Sequence, residues 1–158
     1  MKATDKISEH ITYGEVIRSS YAARNGINNE PNSQQLANIT FLCKYVLDRI
    51  RDFYERPMNA SSIYRCPAVN KGIGGSDTSE HQALGDSAAC DFRIAGTSNK
   101  QVFDDIRSGK IQGLSFNQLI YEYGETGWIH ISTHTDQSRN KHQVLTAKSV
   151  NGNTVMKW

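Results

Sequence analysis

The sequence predicts an α+β domain in which N-terminal helices pack on a small antiparallel sheet. Helical spacing of apolar residues fills the chain as far as Arg56. Period-two alternation with hairpin turns fills it from Gln118 onward. Helices first and neighbouring strands later argue for α+β rather than a wound parallel sheet.

The first helix opens on a capping box, Thr12-Tyr13-Gly14-Glu15, and is expected to run to about Arg24, stopping at Asn25-Gly26. Asn28 to Asn32 reads as loop. Ser33 then opens a long amphipathic helix with Leu36, Ile39, Cys43, Val46, Leu47, Ile50 and Phe53 on one stripe, ended by Arg56-Pro57. That stripe is core, not a site. Asn59 to Tyr64 reads as a strand running into Arg65, and Lys71 to Thr78 as a Gly/Ser-rich loop. A helix is expected over Asn99 to Arg107, with Thr97 or Ser98 as cap and Gly109 as stop. Gln118–Tyr123 and Gly127–Thr133 form one hairpin around Gly124-Glu125-Thr126. Gln143–Val150 and Thr154–Trp158 form a second around Asn151-Gly152. One domain over residues 1–158 is expected, and a monomer.

Bulk properties exclude several classes. A formal net charge of +2, with no Lys/Arg-rich block, gives no electrostatic footprint for nucleic acid. No apolar run approaches the roughly 18 residues of a membrane span, and the N-terminus lacks the apolar core of a secretory signal, so synthesis in the cytoplasm is expected. Cys43, Cys66 and Cys90 lack CxxC spacing and read as reduced thiols. Gly72-Ile73-Gly74-Gly75 is not a phosphate loop, since no Lys-Ser/Thr follows it.

Chemistry concentrates in Ser61–Asp91 and in the later hairpin. His81 and Asp91 lie on either side of a loop, and His130 sits mid-strand, sharing a face with Trp128 and Ser132 while Ile129 and Ile131 point to the opposite, buried face. A histidine in a strand is more often packed or hydrogen-bonded than a ligand. The surrounding pattern is more specific: Ser62-x-Tyr64-Arg65-x-Pro67-x-x-Asn70, then Gly74-Gly75-Ser76-x-x-Ser79-x-His81, then Ala89-x-Asp91-Phe92, then Trp128-x-His130. In that order, over Ser8 to Ser132, it resembles the zinc peptidases that comprise D-alanyl-D-alanine carboxypeptidases, vancomycin-resistance dipeptidases and phage L-alanyl-D-glutamate endopeptidases. The hedgehog signalling domain is a structural cousin.

The resemblance implies a zinc ion held by His81, Asp91 and His130, with Arg65 binding a carboxylate or carbonyl oxygen of the substrate and Ser79 and Trp128 lining the cleft. It implies amide hydrolysis in bacterial peptidoglycan peptides, with release to the cell wall during phage lysis, or a zinc-stabilised binding module of the same fold without turnover. Many relatives carry the general base three residues before the last ligand, but Gly127 stands there. Glu122 and Glu125 are the acids at hand. Glu122 takes the role by its likeness to the Tyr-Glu strand of the hedgehog domain, and Glu125 reads as a solvated turn residue. One departure concerns length. Asp91 follows His81 by ten residues, three more than the family pattern Ser-x-His-x-x-Gly-x-Ala-x-Asp, with Ser87 where Gly is expected. Asp86 is then a rival ligand, and the enlarged loop Gln82–Asp86 a seat of specificity. His134 shares the face of His130, whereas His10 and His142 have no supporting context.

Overall fold

The computed structural model describes residues 1–150 and 152–157. The turn residue Asn151 and the strand end at Trp158 lie outside the described residues.

The helical part follows its caps. Thr12 and Glu15 close the capping box of α1 (Tyr13–Ile17). The expected single helix breaks at Arg18, because the Ser19 side chain accepts from the Ala22 N–H and starts α2 (Ser20–Asn25), which Gly26 ends at φ 63°. A second capping box, Asn32 with Gln35, opens α3 (Ser33–Leu42). The rod continues through a π-helical stretch, Cys43–Leu47, into α4 (Asp48–Tyr54). Ile39, Leu42, Cys43, Val46, Leu47 and Ile50 are buried along it, but Phe53 is exposed. The extra residue of a π turn shifts the phase of the stripe. Pro67 at the first turn starts the short α5 (Pro67–Gly72), whose last two residues reach into the expected loop Lys71–Thr78. α6 (Asn99–Arg107) is capped by Ser98 as expected.

One six-stranded sheet carries the rest: β1 (Met58–Ser62), β2 (Ser87–Ile94), β3 (Gln118–Glu122), β4 (Trp128–His134), β5 (Gln143–Val150) and β6 (Asn153–Lys157). Their order is β1-β2-β4-β3-β5-β6, and every pairing is antiparallel except β3 with β5. The fold is α+β, as the sequence predicts. β2 is the strand that the sequence does not announce. All of Ser87–Ile94 but Arg93 is buried, so the alternation that betrays a half-exposed strand is missing.

Register fixes which face carries chemistry. Leu119, Ile129, Ile131, Cys90 and Phe92 belong to the main core with the helix residues. The opposite face holds a row running Ser62–Asp91–His130–Ile120–Leu145 across five strands. At the far end of that row, Ile120 and Leu145 join Ala147 in a small separate apolar cluster. Cys43, Cys66 and Cys90 are buried free thiols. Among the described residues no helix is long and apolar enough to cross a membrane.

Candidate metal centre

The row brings the three expected ligand residues together. Single donor atoms of His81, Asp91 and His130 lie within 4.8 Å of one another, and all three residues are buried. Asp91 Oδ1 sits 3.2 Å from His81 Nε2 and 2.9 Å from His130 Nδ1. His81 reaches the row from the short 3₁₀ turn Glu80–Gln82, which Ser79 caps by accepting from the His81 N–H. Its Nδ1 is 2.9 Å from the Ile63 carbonyl, so that nitrogen carries the proton and Nε2 presents its lone pair to Asp91. Two imidazole nitrogens and a carboxylate oxygen, oriented in this way, suit a zinc ion.

Electrostatics agree with that use. Burial pulls the His81 pKa down against the attraction of Asp91, which favours the neutral imidazole that a metal needs. For His130 burial acts in the same direction, but the hydrogen bond and charge of Asp91 win and the pKa rises. Burial alone would raise the Asp91 pKa; the attraction of His81 and the hydrogen bond from His130 hold it far below the usual carboxylate range. Arg65 adds a contact of 3.2 Å from Nη2 to Asp91 Oδ2, while its Nε donates to Ser62 Oγ. These bonds leave guanidinium N–H groups for a ligand.

Glu122 lies on the same face, its Oε1 4.0 Å from His130 Nδ1. Burial, then repulsion by Asp91, lift its pKa to about 7, against the pull of His130 and Arg65. Trp128 is its partner across β3 and β4, and the ring stacks edge-on to Tyr123 at 5.4 Å. The indole Nε1 is buried and makes no hydrogen bond among the described residues, falling short of a formed bond to Glu122.

Glu125 is exposed in the turn Gly124–Thr126, as the sequence suggests, and it is also held in place there. Its two oxygens accept from the backbone N–H groups of Asn99 (2.8 Å) and Lys100 (2.9 Å), and from the Tyr121 hydroxyl (2.6 Å). It is the anion at the positive end of α6, engaged away from the ligand row. The chain also cannot place an acid at position 127. A Cβ on Gly127 would run into the carbonyl oxygen of Glu122. Gly127→Ala is therefore expected to cost about 2–3 kcal/mol by overpacking and to displace Glu122. Thermal unfolding with metal content and activity checks this; an unshifted melting midpoint would refute the steric reading.

The enlarged loop is fastened rather than loose. Asn38 on α3 donates to the carbonyls of Ala83 and Gly85. Asp86, the rival ligand, is committed elsewhere: Oδ1 lies 2.9 Å from His134 Nδ1 and pairs with Arg139, and Oδ2 accepts from the Asp136 N–H. His134 is thereby drawn to the loop and away from Asp91. A second donor group, Glu9, His10 and Asp52, is more exposed, with His10 Nε2 2.6 Å from Asp52 Oδ1. His142 stacks on Phe116 at 4.7 Å.

Glu80 joins the site only in three dimensions. Its carboxylate accepts from Ser132 Oγ at 2.8 Å and from Asn117 Nδ2 at 3.2 Å to each oxygen. Ser132 lies two residues from His130 on the same face, on the side away from Trp128 and Glu122. A glutamate beside a histidine carries no signal in sequence. Its meaning comes from partners 37 and 52 residues away.

The family model for peptidase M15 matches residues 9–132, which span the helices, the ligand row and Glu122. No curated protein matches the chain. The match covers most of the chain and all three candidate ligands, His81, Asp91 and His130, and on it the protein belongs to the peptidase M15 family.

Proposed function

We propose that the protein is a zinc-dependent peptidase that hydrolyses amide bonds in peptidoglycan stem peptides or their cross-links. The observation that carries this reading is the pairing of two things on one sheet face. One is a buried donor set, His81, Asp91 and His130. The other is a carboxylate beside it, Glu122, with its pKa raised to about 7. A purely structural metal site has no use for the second.

His81 Nε2, Asp91 and His130 Nδ1 would hold the zinc ion, which supplies Lewis acidity toward water and toward a carbonyl oxygen. Glu122 takes the proton from the attacking water and passes it to the leaving amine. Arg65, anchored through Ser62 and Asp91, directs its remaining donors at the substrate carboxylate or the developing oxyanion. Trp128 walls the same end as Glu122. Ser79 fixes the turn that presents His81 and lines the cavity next to it.

Mass spectrometry of purified muropeptides after digestion, with and without chelator, tests the proposal and identifies the bond cut. Cleavage that chelator abolishes and zinc restores is the expected result. Zinc in the protein with intact muropeptides would instead favour a binding module of the same fold.

A further inference from the structure

Glu80 stands in an unusual position for a half-buried carboxylate. Both side chains that hold it are neutral, and both are fixed by backbone. Ser132 Oγ donates to Glu80 Oε1 and accepts from the Gln118 N–H at 3.1 Å. Asn117 Oδ1 accepts from the Lys141 N–H at 3.1 Å, which turns its Nδ2 toward Glu80. No lysine, arginine or histidine forms an ion pair with Glu80 among the described residues. The charge is held in place without being neutralised. Three hydrogen bonds also leave part of the carboxylate's acceptor capacity unused.

Glu80 lines a cavity of about 460 Å³ with Ser79, Leu84, Asp86, Asn117 and His134. The cavity is bounded by the enlarged loop after His81. Asp86, its neighbouring acid, is already paired with Arg139 and His134. Glu80 and Glu122 therefore flank His130 from opposite ends of the same face, and their surroundings differ in kind. Glu122 is desolvated beside the donor set. Glu80 is wired to neutral donors and borders open space.

We propose that Glu80 is a substrate-binding residue that receives a primary ammonium group of the peptide in this cavity. The inference rests on the peptidase reading and adds a direction to it. Arg65 meets an anionic or carbonyl oxygen at the β1 side, and Glu80 meets a cationic group beyond His130. A substrate so held is fixed at both ends around the scissile bond. The ammonium could be an N-terminal α-amine or a side-chain amine, and the chemistry recognised is the same.

The test compares three synthetic peptides of one sequence: with both amines free, with the α-amine acetylated, and with the side-chain amine acetylated. Steady-state kinetics on wild type and Glu80→Gln are paired with calorimetric binding of the same peptides to zinc-loaded Glu122→Gln and to the double variant. Acetylation of one of the two amines is expected to reduce kcat/KM of wild type by about ten- to hundredfold, mainly through KM, the usual worth of a charge-assisted hydrogen bond. Which acetylation does so identifies the source of the ammonium. In Glu80→Gln that discrimination is expected to vanish, in kinetics and in binding alike, with zinc content retained. Equal discrimination in both proteins, or loss of zinc from Glu80→Gln, would overturn the proposal and return Glu80 to a support for His130. If wild type cleaves none of the peptides, the peptidase reading fails, and the calorimetry still decides the role of Glu80: an acetylation penalty that needs Glu80 supports it, and no penalty refutes it.

Discussion

Asp91→Ala is expected to yield a protein that binds no metal, has no activity and is destabilised by about 3–5 kcal/mol, the usual cost of removing one partner from a buried charge network. Asp91 accepts from His130 and Arg65 and sits 3.2 Å from His81 Nε2. Without it a guanidinium and two imidazoles face one another with no anion between them. The pH dependence has a definite sign. The folded-state pKa of Asp91 lies well below 3.8, so its contribution is fully present above the unfolded value and is lost as pH falls through the folded one. The stability gap between wild type and variant should therefore persist at about pH 5 and shrink only in strong acid. Chemical denaturation of both metal-free proteins across pH measures it. A gap that closed near neutrality would point to the histidines instead.

Glu122→Gln is expected to keep the metal and lose about 10²–10⁴-fold in rate, the range ascribed to a positioned general acid–base. The same substitution should stabilise the metal-free protein at alkaline pH. The Glu122 pKa is raised from 4.5 to about 7, so the folded state is penalised progressively as pH rises between those values and fully above the second. That penalty amounts to about 3 kcal/mol, and glutamine removes it. Below the unfolded pKa the two proteins should be equally stable. A bound cation favours the ionised carboxylate, so the gain should shrink on adding zinc. Thermal melts over pH, with and without zinc, separate these arms. An active Glu122→Gln enzyme would move the base to another group. A variant inactive but not stabilised above neutrality would contradict the raised pKa. A residue that costs stability where it works is the pattern expected of a catalytic group.

Legibility in the sequence followed the range of the forces involved. The Thr12–Glu15 capping box, the Ser98 cap and the hairpin β3–β4 depend on neighbours within a few residues, and they were readable. His81, Asp91 and His130 were readable because motif spacing records a three-dimensional contact. β2 was not, since burial on both faces erases the alternation by which a strand is recognised. The split of the first helix at Arg18 was missed because Ser19 competes locally for the helix start. Glu125 sits exposed in its turn, as its position suggests, but the two backbone donors that α6 supplies, from some 25 positions earlier in the chain, leave no local signal. Glu80 gave no signal because both of its donors are distant in sequence.

The hairpin β5–β6 lies beyond the stretch that the family model matches. Without it β3, the strand that carries Glu122, would be the rim of the sheet, its peptide groups free to template another chain. β5 occupies that rim in parallel, setting Ala147 opposite Glu122 and accepting the Tyr123 N–H at 2.8 Å. Leu145 and Ala147 also bury Ile120 next to His130. The appended hairpin thus moves the exposed sheet border two strands away from Glu122. It protects that strand from intermolecular pairing and helps to keep the surroundings of Glu122 dry.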